Sequence, residues 1–219
     1  MSLDTSNKIN KLLLSGTPNG LFFSKWLKEN GYSYQLINKY RKSGWLTSLA
    51  NGVMYRTGDS LSAYAALQCY NQQLDKDVRI AAHSALELLG FNHYVPMGKP
   101  VLIVASSESN IPEWMRSEAF DKTIKPFTTE IFLVPQITMI QERKLDLLIS
   151  APEQAFLECI LLAPNQYSYM DLYYIMEQLT TLRPEIVQIL LETTKNFRVK
   201  RLFLYMAEKA GHYWFDLID

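Results

Sequence analysis

Apolar residues recur at three- and four-residue intervals through much of this chain, which predicts a helix-rich protein interrupted by short strands. Residues 8–14 turn Ile9, Leu12 and Leu13 to one side of a first short helix. Phe23, Trp26 and Leu27 do the same over a second, which Ser24 can cap and Gly31 stops. Ser33 can cap a third helix, with Leu36, Ile37 and Tyr40 as its apolar face and Gly44 at its end. Residues 45–49 and 53–57 then read as two strands around Ala50-Asn51-Gly52, and Asn-Gly is a strong hairpin signal. Helix, tight turn, helix and hairpin in that order predict a winged helix-turn-helix.

Beyond it, residues 61–73 form a helix rich in Ala, Leu and Tyr, with Asp59 or Ser60 as its cap. Asp75-Lys76-Asp77 is a polar break, and the expected division falls there, giving domains 1–74 and 75–219. The remainder alternates. Strands are expected at 78–81, 101–105, 131–134, 136–140 and 144–149, with Pro135 separating two of them. Helices are expected at 84–89, from 153 to about 163, and at 172–180, 184–194 and 198–210. Three carry capping boxes: Ser84 with Glu87, Ser150 with Glu153 (Pro152 in the first turn), and Ser168 with Asp171. The predicted class is α+β, helix-rich, with the winged helix followed by a mixed α/β domain. Sheet order is not legible from the pattern.

The 219 residues are 48% hydrophobic and 20% charged, ordinary values for a globular protein with a substantial core. Net charge is zero, but its distribution is uneven. Residues 1–60 carry eight cations against three carboxylates, leaving the rest at a net −5. A basic front and an acidic body suit a DNA-binding head on a protein-binding body. Cys69 and Cys159 lie in apolar helical stretches and are expected as buried thiols of a reducing compartment. No apolar run reaches membrane-spanning length, and the start lacks the order of a signal peptide, so a cytoplasmic location is expected.

On the predicted third helix the polar side carries Tyr34, Gln35, Asn38, Lys39, Arg41 and Lys42. Gln and Asn pair with adenine edges, and Arg and Lys with guanine or phosphate. A charged helix face is by itself only a solvated face; the preceding glycine turn and the following hairpin make it a DNA-reading one. Arg56 is expected on the wing, near a phosphate backbone. Near the C-terminus Lys195, Arg198 and Arg201 recur every three residues with Lys200 beside them, a basic ridge on a helix that continues into Leu202, Phe203, Tyr205 and Met206. It is expected to dock an acidic partner or to add a second DNA contact.

A catalytic constellation is missing. His83, His93 and His212 have no metal-ligand spacing, and no phosphate loop, dinucleotide fingerprint or nucleophile elbow is present. A nuclease-like carboxylate pair of Asp146 and Glu153 can be drawn, but Glu153 is expected as a capping residue and Ala155, not a lysine, stands two positions on; clustering of Asp146, Glu130 and Lys144 around a divalent ion would instead mark an enzyme. No metal and no cofactor is expected, and no enzymatic activity.

Several segments together resemble the AbiEi antitoxins of type IV toxin–antitoxin systems, in the group with an N-terminal winged helix. They are SYQLINKYRKSGWL (33–46), NGVMYRTGD (51–59), SALELLGFNHYVPMG (84–98), LLISAPEQAFLECILL (147–162) and FRVKRLFLYMAEKAGHYWF (197–215). The resemblance implies a repressor that binds inverted repeats upstream of its own operon. It also implies a second domain that neutralises a nucleotidyltransferase-like toxin, directly or functionally, without catalysis. The alternative from a different class is a one-component regulator whose second domain senses a small ligand.

Overall fold

A computed structural model describes residues 3–91, 98–108 and 110–219, with side chains from residue 8 onward. The first unit runs α1 (Leu3–Ser15), β1 (Phe22–Phe23), α2 (Ser24–Glu29), α3 (Tyr34–Lys42), β2 (Leu46–Ala50) and β3 (Val53–Arg56). The strands form an antiparallel sheet in the order β1-β3-β2. Ile9, Leu12, Leu27, Ile37, Tyr40, Leu46 and Met54 close its core. These include the apolar positions that the helical spacing selects. Ser33 caps α3 by accepting from the Leu36 N–H. Ser24 does not cap α2: the cap position is Phe23, and the Ser24 backbone N–H and hydroxyl both donate to the Gly52 carbonyl, at 2.8 and 3.0 Å. The hairpin turn is thereby folded onto the start of α2, and a Cβ on Gly52 would stand 2.8 Å from the Ser24 oxygen.

Helix α4 (Ala63–Leu74) leads out of this unit. Its first amide, on Ala63, donates to the Asp121 carboxylate at 2.7 Å, while Asp59 accepts from Asn19 N. The sequence expected Asp59 or Ser60 at that helix start; a carboxylate distant in sequence takes the place.

The body holds a five-stranded mixed sheet. Its strands are β4 (Arg79–Ile80), β5 (Val101–Ser106), β6 (Thr123–Thr128), β7 (Ile137–Glu142) and β8 (Leu145–Ser150), in the order β6-β5-β4-β8-β7. β4–β8 and β5–β6 run parallel; β4–β5 and β7–β8 run antiparallel. Helices α5 (Ala82–Leu88), α6 (Pro152–Leu162), α7 (Tyr169–Gln178), α8 (Pro184–Thr193) and α9 (Phe197–Ala210) complete it. The helix-rich α+β class is observed.

The local expectations differ at definite places. Strand β6 is not among the expected strands; it holds Pro126, which a sheet edge tolerates. The stretch 131–134 is not a strand, since Pro135 follows it and Phe132 is sunk into the core instead. Two of the three expected capping boxes are absent. Ser84 lies inside α5 and bridges β5, accepting from Ile103 N at 2.9 Å and donating to the Val101 carbonyl. Glu153 is drawn to Arg183, whose backbone and guanidinium N–H groups donate to it at 2.9–3.0 Å. The Ser168–Asp171 box forms in full.

The first unit keeps its own small core, but the large core of the body reaches into it. Leu21, Phe23 and Val53 belong to the same buried cluster as the sheet and α6–α9. Phe23, Tyr70 and Phe120 each meet Trp114 edge to face and Phe23 meets Tyr70 at a tilt, with centroids 5.4–5.9 Å apart, joining the start of α2, α4 and the turn Glu113–Arg116. Helix α4 therefore packs on both sides of the division expected at residue 75.

Candidate nucleic-acid interface and partner surface

Ile37 and Tyr40 are sunk in the small core, so the other side of α3 faces outward. Tyr34, Gln35, Lys39, Arg41 and Lys42 are exposed and Asn38 is half-buried. The Arg41 guanidinium donates to the Asn38 side chain at 3.4 Å, which ties two of these groups together on one ridge. Among the described residues Lys39, Arg41 and Lys42 have no ion-pair partner. Helix α3 thus presents amides and cations together, the donor and acceptor set that a duplex groove and its phosphates engage. Lys28 of α2 adds a further cation, 5.8 Å above the Tyr34 ring. Its position on the polar side of the preceding helix was a legible signal that the spacing argument did not use.

Arg56 is on the second strand of the hairpin. It lies at the end of β3 away from the hairpin turn, half-buried, and its guanidinium donates to the Leu13 carbonyl at the end of α1. Helix ends leave carbonyls without partners, and a buried guanidinium is drawn to them. Arg56 joins α1 to the hairpin.

The basic ridge at α9 is partly engaged within the chain. Arg198 donates to the Ala163 and Leu161 carbonyls at 2.9 and 3.0 Å, closing the C-terminal end of α6. Lys200 is half-buried and sits 5.7 Å from the Phe197 ring. Lys195, Arg198 and Arg201 are all exposed, Arg198 while holding those carbonyls. Of the apolar residues that follow, Phe203 and Met206 are buried, Leu202 is half-buried, and Tyr205 is exposed. Tyr205, Phe197 and Tyr213 are exposed, as are Tyr169, Met170 and Tyr174 of α7, a helix that packs against α9.

A groove of about 770 Å³ opens between α5, the start of β5 and α7. Tyr167, Tyr174, Val101, Ile103 and Ile175 supply apolar walls, and His83, Lys125, Glu87 and Glu177 supply charge and hydrogen-bonding groups.

Among the described residues no three of His, Cys, Asp and Glu stand together as a metal site. Asp146 accepts from Gln141, and Glu153 is held by Arg183. His212 contacts the Met176 carbonyl and stacks on Trp214; His93 lies outside the described residues. Burial pushes both thiols up, Cys159 well above its ordinary value, so neither is disposed to react. Tyr167 beside Cys159 is pushed up for the same reason.

Comparison with known proteins adds the family. A model described as "Transcriptional regulator, AbiEi antitoxin N-terminal domain" matches residues 5–97. One described as "Transcriptional regulator, AbiEi antitoxin, Type IV TA system" matches residues 98–219. No curated protein matches. Among solved structures, the RV2827C protein from Mycobacterium tuberculosis is similar with a TM-score of 0.62 at 13% identity. That alignment covers 100% of this chain and 83% of the other. At that identity the likeness concerns the fold.

Proposed function

This chain belongs to the AbiEi antitoxin family of type IV toxin–antitoxin transcriptional regulators, and from that premise we propose that it represses its own operon by binding operator DNA through α3. Gln35 and Asn38 read base edges, Tyr34 packs beside them, and Lys39, Arg41 and Lys42 hold phosphates and guanine. The exposed amide-and-cation face of α3, left without ion-pair partners among the described residues, is the observation that carries this reading. Arg56 acts from behind, by fixing the hairpin to α1. The body neutralises a nucleotidyltransferase-like toxin, directly or functionally, by binding and not by catalysis. Lys195, Arg201 and the aromatic residues of α7 and α9 form its contact surface, while Arg198 orders the end of α6 beneath it. The protein works in the cytoplasm.

Fluorescence anisotropy with DNA from directly upstream of the gene, at two salt concentrations and against scrambled competitor, tests the DNA role. Tight, competitor-resistant binding is expected. Changing Lys39, Arg41 and Lys42 together to Ala weakens binding at least tenfold and lowers the salt slope by roughly 2–3, since each lost phosphate contact removes about 0.9. An unchanged slope would remove α3 from the interface. For the antitoxin role, K195E with R201E in the full chain is expected to lose protection when the toxin is co-expressed, while operator binding persists.

The groove under α7 favours a second reading, a body that also senses a small ligand. Filling it with Ile175→Trp would then abolish any metabolite-induced rise in melting temperature, and the absence of such a rise in the native protein would dismiss the idea.

A further inference from the structure

The mixed sheet of the body has two edges, and they are built differently. Strand β6 carries Pro126, and since Thr123 N donates inward to the Pro100 carbonyl, the proline nitrogen falls on the open side, where it denies a further strand a donor. Strand β7, on the other side, has no such device. Its sequence ITMIQE contains no proline and no cation, and all six of its residues pair with β8 on the inner side.

The ladder fixes which backbone groups point outward. Ile137 lies opposite Ser150, and the register continues one step further, where the Gln136 carbonyl accepts from Ala151 N at 2.9 Å. In an antiparallel strand the backbone groups of successive residues alternate between the two sides. Gln136, Thr138, Ile140 and Glu142 therefore turn toward β8, and Ile137, Met139 and Gln141 turn their N–H and C=O groups to the open edge. Among the described residues no strand pairs with them. The side chains here are apolar as well as exposed: Met139 is 63% exposed, and Leu133 and Val134 just before the strand are 57% and 45%. Phe132, 6% exposed, anchors that approach to the core.

This edge is complementary to itself. A two-fold axis normal to the sheet through Met139 sets Met139 against its own copy and Ile137 against Gln141. Each pair joins residues of like parity, so every outward N–H meets an outward carbonyl and every side chain stays on its own face of the sheet. Glu142 then lies opposite Gln136, and no like charges are brought together within the strand pair. The Ile137 and Met139 side chains of both copies form one continuous apolar strip. We propose that two copies of this chain join edge to edge through antiparallel β7 strands, extending one sheet across both bodies. This leaves α3, on the N-terminal unit, outside the strand pair and available in each copy.

Sedimentation velocity on the full chain from about 1 to 300 μM tests this, with hydrogen exchange at both ends of the range. A concentration-dependent monomer–dimer equilibrium is expected. Exchange at Ile137, Met139 and Gln141 should slow at high concentration, while Thr138 and Ile140 are protected throughout. The double variant I137K, M139K should weaken association at least 30-fold with the circular dichroism spectrum and melting temperature retained. Met139→Pro, which deletes an outward donor only, should do the same and serves if the lysine variant fails to fold. A monomer at every concentration overturns the proposal, as does a dimer that both variants leave intact. Protection of the same alternate amides only when the toxin is present would overturn it too, and would assign the edge to that partner.

Discussion

Glu158 shows how much one side chain can settle. It is fully buried, yet its carboxylate accepts from the Arg79 guanidinium and the Ser150 hydroxyl at 3.0 Å, from the Gln154 amide at 2.9 Å, and from the Ala82 backbone N–H at 2.9 Å. That last bond holds the first residue of α5, where Ala82 takes the left-handed φ of 49° that alanine ordinarily avoids. One carboxylate thus joins β4, β8, α5 and α6. A buried charge is tolerated only when its partners are complete, and removing one partner strands the rest. Glu158→Ala would leave Arg79, 4% exposed, without its counter-ion. The expected loss is about 3–5 kcal/mol in urea unfolding at neutral pH. A loss under 1 kcal/mol would mean that water enters and rescues the site.

At the scale of single elements, caps decide where helices begin, and their partners differ. Ser33 and Asn196 each accept from the backbone N–H three residues ahead, Leu36 and Val199. Ser168 and Asp171 satisfy each other's backbone. These caps are local, and local caps are visible in sequence. Ser33→Ala should cost about 1 kcal/mol in overall stability. It should also weaken operator binding, because the first turn of α3 carries Tyr34 and Gln35. Chemical denaturation and the anisotropy titration read the two effects separately. Full operator affinity in a destabilised variant would place the DNA contacts away from that turn. By contrast Glu153, Ser84 and Ser24 resemble caps in sequence but bind Arg183, β5 and Gly52 respectively.

Across the whole molecule, the N-terminal unit is not a bead on a linker. Phe23 from the start of α2 sits in the same aromatic group as Tyr70, Trp114 and Phe120, and Leu21 and Val53 enter the large core beside it. The first unit's own core is separate, but these contacts tie it to the large one, and units coupled through a buried cluster unfold together. The full chain should therefore melt in a single transition, with calorimetric and van't Hoff enthalpies equal. Trp114→Ala, which empties the junction, should lower the melting temperature by several degrees and split the transition in two. Two transitions in the native protein would show that the shared cluster is too small to couple the units.

The sequence by itself determined the helices with a clear apolar stripe, the helix-turn-helix with its hairpin, the Ser33 and Ser168–Asp171 caps, and the exposed polar face of α3. Each of these depends on residues three or four apart, or on a turn with a strict backbone requirement. The tertiary structure alone decided the order β6-β5-β4-β8-β7, the placement of β6, and the fates of Arg56 and Arg198. Their partners lie 43 and 35 residues away, and those of Glu158 and Glu153 lie up to 79 away. A charged side chain on a polar stripe has the same local signature whether it meets water, DNA or a helix end. Only the folded chain shows whether an unsatisfied carbonyl stands within its reach, and where burial makes that carbonyl costly to leave bare it outcompetes solvent.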